Sequence, residues 1–481
     1  MVSARALVVA APSSGSGKTT VSTGLMAALR RRGTRVAPFK VGPDYIDPGY
    51  HTLAAGRPGR NLDVVLQGAE RLAPLARHGS RDCDVAVVEG VMGLFDGRIP
   101  DGAGSTAQVA ATLGAPVVLV VDVRGQSRSL AALLHGFRSF DPSVEVAGVI
   151  LNRTGSARHE EVLRSAADEV GLPVLGALPR RAELAVPSRH LGLVTAAEHG
   201  AAATAAVDAM AELVAAHVDL DAVLALARPL PDGPVWDPHA EIAAVTDRPA
   251  GRTPGPGRPA AAAAPGRAAV APVVAVAGGP AFGFGYAEHA ELLAAAGARV
   301  VGVDPLRDPD LPDGTCALVL PGGFPEEHVG ALGENRSLRA AVARLAATGA
   351  PVHAECGGLL YLCRDLDGIP MCGVLDASAA MTDRLTLGYR EAVAVSASPL
   401  FPPGSRVGAH EFHRCAVTPR AGAAPAWAWR GGEPEGHVVA GVHASFLHTH
   451  PAGNPDVVAR LVDLARPAAR VLAAGPSPRD R

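Results

Sequence analysis

Residues 13–20 have the sequence SSGSGKTT, in which small residues surround one lysine. An apolar run precedes this segment, which predicts a strand, a tight loop and then a helix. In that context backbone N–H groups approach phosphate oxygens, a lysine neutralises the outer phosphates and a threonine hydroxyl binds Mg²⁺. The common pattern has glycine where this chain has Pro12, and a glycine-rich turn with an incidental lysine is the alternative. We predict an ATP-binding loop whose members are Ser14, Gly15, Ser16, Gly17, Lys18, Thr19 and Thr20.

Two pairs of acidic residues follow later strands of the same half. Asp44 and Asp47 stand in FKVGPDYIDPGYH, and Glu89 and Asp96 stand in VVEGVMGLFDG. Ligands of open α/β sheets collect at the carboxyl ends of the strands, where these acids are expected. Mg²⁺ prefers oxygen ligands and is commonly held by one or two carboxylates together with phosphates. We therefore predict a Mg²⁺ site that includes Thr19, Asp44 and Glu89, and a turn-forming or helix-capping role is the alternative for each acid.

A cysteine in the second half stands where a strand is predicted to turn into a helix. The segment PVHAECGGLLYL places Cys356 at a bend of small residues. A helix N-terminus favours a thiolate, and backbone N–H groups at the bend can hold an oxyanion. We predict oxyanion donors at this bend and in the upstream run LPGGFPE, namely Gly322, Gly323 and Gly357. The nucleophile also needs a base, and among the three histidines of VHASFLHTHP we favour His448.

The elements that must position these residues are short β-branched strands alternating with longer helical segments. In the first half such strands begin near residues 6, 84, 115, 145 and 173, and in the second half near 273, 299, 316 and 350. Continuous apolar strands between helices predict α/β domains, the first with a parallel sheet covered on both faces. From about 386 to 444 the runs become shorter and alternate, which indicates a more antiparallel region.

Length and composition predict two domains. A chain of 481 residues exceeds the roughly 250–300 residues at which one hydrophobic core stops growing. Between 226 and 270, Pro, Gly and Ala remove any apolar period, which is typical of a linker. We predict a nucleotide-binding domain over residues 1–225, a linker over 226–270, a second α/β domain over 271–470 and a tail over 471–481.

Charge and cysteine usage exclude several classes of protein. The formal net charge of -3 gives no basic field that would attract nucleic acid, and no apolar run is long enough to span a membrane. Six cysteines without paired spacing indicate reduced thiols. We therefore expect a cytoplasmic protein with neither nucleic acid nor a membrane as partner, and the sequence leaves a homo-oligomer open.

Each half resembles a known class of enzyme. The SGSGKT run is similar to the loops of dethiobiotin synthetase and of partition ATPases. The cysteine bend resembles that of class I glutamine amidotransferases, in which G-x-C-x-G surrounds the nucleophile and a glutamate follows two residues after the histidine. This chain departs at both points, since Ala354 replaces the first glycine and His450 replaces the acid. The third member of the Cys-His site is therefore left open.

The motifs taken together resemble the cobyrinic acid a,c-diamide synthase family over nearly the whole chain. The segments that carry the resemblance are SGSGKTT, FKVGPDYIDPGYH, RNLD, VVEGVMGLFDG, GSTAQVA, AECGGLLYL, LGYRE and AHEFHR. The resemblance implies an enzyme that amidates the a and c carboxylates of cobyrinate, or of its cobalt-free form hydrogenobyrinate, on the route to cobalamin. ATP, glutamine and a corrinoid acid would be its substrates, with Mg²⁺ as cofactor.

The resemblance also implies roles for individual residues. A substrate carboxylate would attack the γ-phosphate of ATP, and ammonia from glutamine would displace the resulting acyl phosphate. Asp44, Asp47, Glu89 and Asp96 match family positions associated with metal and catalysis. Tyr45 is a candidate substrate contact, with a packed aromatic as the alternative. Asn152 matches a position at which related nucleotide folds bind adenine.

Two other interpretations are open. A cobyric acid synthase or a nickel-sirohydrochlorin diamide synthase shares the two-part layout and differs in the acid. A partition-type ATP switch shares the loop, but it gives no reason for a fused Cys-His domain.

Overall fold

The apolar runs form one sheet in each half of the chain. The computed structural model describes residues 4–99, 101–180, 188–189, 192–193, 195–247 and 270–474. It separates into two units, Met1–Trp236 and Asp237–Arg481. The predicted α/β class is confirmed in both.

The strands of the first unit are β1 (Arg5–Ala10), β2 (Val36–Val41), β3 (Arg60–Leu62), β4 (Val85–Glu89), β5 (Val117–Asp122), β6 (Val146–Thr154), β7 (Val174–Pro179), β8 (Ser188–Arg189), β9 (Gly192–Leu193) and β10 (Arg228–Pro229). Its helices are α1 (Lys18–Arg31), α2 (Asp47–Ala55), α3 (Val64–Gln67), α4 (Ala69–Gly79), α5 (Thr106–Leu113), α6 (Ser129–Ser139), α7 (Ala157–Glu169), α8 (Ala196–His199), α9 (Ala201–His217) and α10 (Leu220–Leu226).

The main sheet of the first unit is parallel, in the order β3-β2-β4-β1-β5-β6-β7, and β10 pairs antiparallel with β1. Strands β2 and β4 are buried at every position. Helices cover both faces of the sheet, so neither face has to present polar side chains to solvent. The carboxyl ends of parallel strands share one edge. That edge therefore collects the loop after β1, the acids after β2 and β4, and Asn152 near the end of β6.

The strands of the second unit are β11 (Val273–Ala277), β12 (Arg299–Val303), β13 (Thr315–Leu320), β14 (Val352–Glu355), β15 (Asp365–Leu366), β16 (Ile369–Pro370), β17 (Ser378–Ala394), β18 (Arg406–Thr418), β19 (Trp427–Ala428), β20 (His437–Val439) and β21 (Val442–Ser445). Its helices are α11 (Pro238–Thr246), α12 (Ala287–Ala295), α13 (Val329–Glu334), α14 (Arg336–Ala347), α15 (Gly357–Leu362) and α16 (Pro455–Ala474), and Pro325–His328 and Pro451–Gly453 are 3₁₀ turns.

The second unit combines two sheets. One has the order β12-β11-β13-β14-β21-β20 and is parallel except at β20. The other is built on the long antiparallel pair β17–β18, so the expected antiparallel region is present and begins earlier, at Ser378. The peptides of His410 on β18 and His448 after β21 exchange hydrogen bonds of 3.0 and 2.8 Å. This bridge ties the hairpin to the end of the parallel sheet.

The first part of the expected linker carries secondary structure. Residues Arg228–Pro229 pair with β1, and helix α11 packs against α12 and α16 of the second unit. Residues 248–269 of the expected linker lie outside the described residues, as do residues 475–481 of the expected tail, whose first residues continue α16. Within the described part of the chain, no helix is long and apolar enough to cross a membrane.

Candidate active sites

The loop of residues 13–20 leads directly into α1, which begins at Lys18. Gly15 and Gly17 have φ of 77° and 97°, a backbone region that glycine adopts without steric cost. A methyl group at Gly17 would lie 2.2 Å from Nδ2 of Asn152, so a larger residue there would displace the side chain that supports the loop. Asn152 Nδ2 donates to the Ser16 carbonyl at 2.9 Å and so supports the loop, while its contact with adenine stays a prediction.

The Lys18 ammonium lies against two backbone carbonyls. Its Nζ donates to the Met92 oxygen at 2.5 Å and to the Ser13 oxygen at 3.3 Å. Burial, helped by the nearby Lys40, lowers the pKa of Lys18 to about 8. Met92 presents its carbonyl from a left-handed backbone conformation with φ of 47°, in the loop that follows β4. The lysine is thus held over the loop by a segment 74 residues away in sequence.

A second lysine, which we did not predict, lies among the predicted carboxylates. Lys40 on β2 is 3% exposed, and its Nζ lies 2.6 Å from Asp47 Oδ2, 2.9 Å from Glu89 Oε1 and 3.7 Å from Asp44 Oδ2. Burial alone would lower the pKa of Lys40, but Asp47, Glu89 and Asp44 outweigh it and raise that pKa well above its usual value. Lys40 is therefore the counter-ion of the acidic cluster.

Glu89 is fully buried at the end of β4 and accepts several hydrogen bonds. Thr19 Oγ1 donates to Oε1 at 2.7 Å, Ser22 Oγ donates to Oε2 at 2.5 Å, and His51 Nε2 lies 2.7 Å from Oε2. Burial would raise the pKa of Glu89, but Lys40, His51 and Ser22 together hold it well below its usual value. Glu89 is consequently a carboxylate that faces the phosphate-binding loop.

The three aspartates occupy different positions. Asp47 is buried and accepts from Thr19 Oγ1 at 3.2 Å, and burial together with Asp44 raises its pKa well above the usual value. Asp44 Oδ1 accepts from the backbone of Ile46 and Asp47, and Asp96 Oδ2 accepts from Gly93 N at 2.9 Å. Asp44 and Asp96 thus each use one oxygen in a local turn, the role considered as the alternative. Tyr45 is buried, and its substrate contact stays a prediction.

The donor set fits a hard cation only when nucleotide phosphates contribute to it. The Thr19 hydroxyl oxygen converges with Asp47 Oδ2 and Glu89 Oε1, and oxygen ligands of this kind suit Mg²⁺. Among the described residues, no group of three or more His, Cys, Asp and Glu side chains is arranged as a ready metal centre. Mg²⁺ sites commonly take phosphate oxygens and waters for the remaining positions.

Cys356 lies between β14 and α15, at the predicted bend. Its backbone has φ of 48° and ψ of −104°, a strained conformation for a residue with a side chain and one that turns a nucleophile out of a strand end. The side chain is 3% exposed, and Sγ donates to the Phe412 oxygen at 3.7 Å. Burial and the nearby Glu326 raise the pKa of the thiol far above its usual range.

The predicted glycines pack around this bend. A methyl group at Gly357 would lie 2.9 Å from Gly323 N, and one at Gly358 would lie 2.2 Å from the Leu320 oxygen. A methyl group at Gly322 would lie 2.3 Å from Cε1 of His448. The two glycine loops therefore meet, and the predicted base borders them.

His448 is fully buried, and its peptide is bridged to His410. Burial and the neighbouring His410 and His413 hold the pKa of His448 well below 6.5. His450, at the position of the family acid, instead accepts from Ala452 N through Nδ1 at 3.1 Å and packs on Tyr286 with ring centroids 4.1 Å apart.

Buried acids that sequence reasoning missed lie near the cysteine. Glu355 accepts from Thr449 N and Oγ1 at 2.9 and 2.7 Å, and burial raises its pKa to about 7. Glu411 pairs with Arg390 Nε at 2.6 Å. The family segments LGYRE and AHEFHR contain this pair, but their sequence gave no sign of the contact.

Comparison with known proteins covers both units. Residues 7–194 match the CobQ/CobB/MinD/ParA nucleotide binding domain, and residues 273–455 match the CobB/CobQ-like glutamine amidotransferase domain. The hydrogenobyrinate a,c-diamide synthase of Mycobacterium tuberculosis is 58% identical over 95% of this chain and 97% of its own. That of Streptomyces coelicolor is 58% identical over 96% and 97%. The cobyrinate a,c-diamide synthase of Syntrophotalea carbinolica is 40% identical over 96% and 98%.

Proposed function

Because this chain belongs to the family of hydrogenobyrinate and cobyrinate a,c-diamide synthases, we propose that it amidates the a and c carboxylates of hydrogenobyrinate with ammonia from glutamine, at the expense of ATP. Hydrogenobyrinate is favoured because the relatives named for it are 53–58% identical, against 40% or less for those named for cobyrinate. The observation that carries the proposal is that one chain holds both a lysine-bearing phosphate loop and a cysteine in a strained strand-to-helix bend.

In the first unit, a substrate carboxylate oxygen attacks the γ-phosphorus of ATP, and the bond to the β-phosphate oxygen breaks to release ADP. Lys18 and the backbone N–H groups of the loop stabilise the charge on the transferring phosphoryl group. Ammonia then attacks the acyl carbon, phosphate leaves and an amide remains. Asp44, Asp47 and Asp96 are proposed as catalytic residues, placed at the edge where the substrate acid would lie.

Mg²⁺ would be held by Thr19, Asp44 and Glu89, to which we add Asp47 because its Oδ2 accepts from the Thr19 hydroxyl. When bound, the ion would neutralise charge on the phosphates. Lys40 is within reach of all three carboxylates, so their repulsion is compensated before nucleotide binds.

In the second unit, Cys356 Sγ attacks the side-chain amide carbon of glutamine to give a tetrahedral intermediate, from which ammonia leaves and a γ-glutamyl thioester remains. His448 takes the thiol proton and returns it to the leaving nitrogen. Backbone N–H groups of Gly322, Gly323 and Gly357 are proposed to hold the oxyanion. Water then hydrolyses the thioester to glutamate.

Substrate profiling tests the proposal. Purified protein is given ATP, Mg²⁺ and glutamine with hydrogenobyrinate, cobyrinate or nickel-sirohydrochlorin, and amides are counted by mass spectrometry. We expect two amides on hydrogenobyrinate and faster turnover than on cobyrinate. Amidation of the nickel compound alone, or more than two amides on the corrinoid, would contradict the assignment.

A further inference from the structure

Lys18 and Lys40 are the only lysines in the sequence, and the other 42 of its 44 basic residues are arginine. Both lysines lie in the nucleotide site, and both are buried. Arginine is a broad planar fork, whereas lysine is a compact charge on a flexible stem. Every other cationic side chain of this sequence is an arginine, and lysine occurs only at these two positions of the nucleotide site. This indicates that each of the two positions requires a small cation.

The position of Lys40 is unusual because it shares its partners with Thr19. The Lys40 ammonium lies 2.6 Å from Asp47 Oδ2 and 2.9 Å from Glu89 Oε1. The Thr19 hydroxyl donates to the same two oxygens, at 3.2 and 2.7 Å. Lys40 Nζ is therefore bound to the two carboxylate oxygens that, with the Thr19 hydroxyl, would be ligands of Mg²⁺.

We propose that Lys40 is a positioning residue that stands in for the metal ion. Before nucleotide binds, its ammonium holds Asp47 and Glu89 together, and it releases their oxygens when nucleotide-bound Mg²⁺ arrives. The Gly90 carbonyl oxygen, 3.2 Å from Nζ, remains a partner of the ammonium after that release. This inference rests on the proposed Mg²⁺ site and adds to it a competition between a side chain and the metal.

The competition has a direct consequence for metal affinity. Free Mg²⁺ must displace a buried ammonium from two carboxylates, so the protein without nucleotide should bind it weakly. The phosphates of ATP add negative charge that compensates both cations. Metal and nucleotide therefore enter together.

Calorimetric titration of Mg²⁺ into full-length, nucleotide-free protein tests the competition. In Lys40→Met the two carboxylates lose their counter-ion, and we expect Mg²⁺ to bind on the order of tenfold more tightly than in wild type. The variant should also melt at a lower temperature without Mg²⁺ and recover more on its addition than wild type does. Arg35→Met is the matched control, because Arg35 forms an exposed ion pair with Asp84 just before the same strand. Equal or weaker Mg²⁺ binding by Lys40→Met would overturn the proposal.

A second measurement follows the Lys40 ammonium in the wild-type chain itself. Protein grown with lysine carrying ¹³C at the ε carbon gives two side-chain signals, one from each lysine, which Lys40→Arg assigns. We expect the Lys40 signal to shift when Mg²⁺ is added to protein holding a non-hydrolysable ATP analogue, and to shift far less with the analogue alone. If Mg²⁺ leaves the analogue's affinity unchanged, the proposed metal site is wrong and this inference falls with it. If Mg²⁺ strengthens binding and the Lys40 signal does not move, only the inference is wrong.

Discussion

The phosphate loop and the cysteine bend are built alike and charged differently. Each follows a buried parallel strand and opens a helix, and each depends on glycines packed too closely to admit a side chain. In the first, burial would raise the pKa of Glu89, but Lys40, His51 and Ser22 outweigh it and keep this carboxylate ionised. In the second, burial raises the pKa of Cys356 and lowers that of His448, so both groups are neutral at pH 7.

This difference means that the phosphate loop carries its working charges before its substrate binds, whereas the cysteine bend does not. The phosphate loop meets an anion with charges already in place, which is how electrostatic preorganisation lowers a barrier. The cysteine faces three carboxylates, those of Glu326, Glu355 and Glu411, and each of them opposes thiolate formation. In the proposed mechanism the thiolate is the nucleophile, so the proton would leave as glutamine binds rather than before.

The largest effect is expected at the lysine of the loop. Lys18→Ala removes the charge proposed to stabilise the transferring phosphoryl group, and in the proposed mechanism both nitrogen sources need the acyl phosphate. Amidation should therefore be lost with free ammonia as well as with glutamine, as measured by mass spectrometry of the corrinoid. Arg31→Ala on the exposed side of the same helix is the control. Rescue of Lys18→Ala by ammonia would refute the role of the loop.

Cys356→Ala separates the two sites. It removes the proposed nucleophile, so glutamine hydrolysis should fall below detection, while amidation with a high concentration of ammonium salt should continue slowly. Glutamate release and amide formation are measured in parallel, with Cys316→Ala on β13 as the control. Glutaminase activity that survives in Cys356→Ala would show that another group attacks glutamine.

A smaller effect is expected at the glycine after the cysteine. A methyl group at Gly357 would press on Gly323 N at 2.9 Å and Pro325 Cδ at 3.0 Å, which displaces a proposed oxyanion donor. Gly357→Ala should lower glutaminase kcat by about 10²-fold, the usual effect of losing one such donor, and should leave ammonia-dependent amidation intact. Gly330→Ala, where a methyl group meets nothing within 4 Å, is the control. An unchanged kcat would count against the oxyanion assignment.

The smallest effect concerns stability against pH. Burial raises the pKa of Glu435 from its usual 4.5 to about 7, against the hydrogen bonds from Ser445 and Phe446 N. Between those values the folded state binds more protons than the unfolded state, so stability falls as pH rises from about 4.5 to about 7.

The glutamine in Glu435→Gln stays neutral at every pH, so the stability of this variant should fall less than that of wild type as the pH rises. At pH 8 we expect its free energy of unfolding to exceed that of wild type by on the order of 1–3 kcal/mol, which corresponds to several degrees in melting temperature. Thermal melts at pH 5 and pH 8 measure the difference, and Glu433→Gln at the exposed neighbouring site is the control. If both variants show the wild-type dependence on pH, the pKa of Glu435 is not raised in the folded protein.

The sequence predicted what local patterns specify. Apolar runs identified the principal strands, and small residues after two of them identified the loop at Lys18 and the bend at Cys356. The contacts between distant segments could not be predicted. Lys40 lies in an otherwise apolar strand, and its partners are 7 and 49 residues away, so only the scarcity of lysine marked it. The β10 pairing of Arg228–Pro229 was missed because two residues show no period.

The bridge between His410 and His448 uses both the N–H and the carbonyl of each peptide. Because the N–H and the carbonyl of His448 are both hydrogen-bonded to His410, the backbone of His448 can move only if β18 moves with it or if both hydrogen bonds break. A displacement of β18 at His410 is therefore passed directly to the backbone of His448, the proposed general base, through two hydrogen bonds.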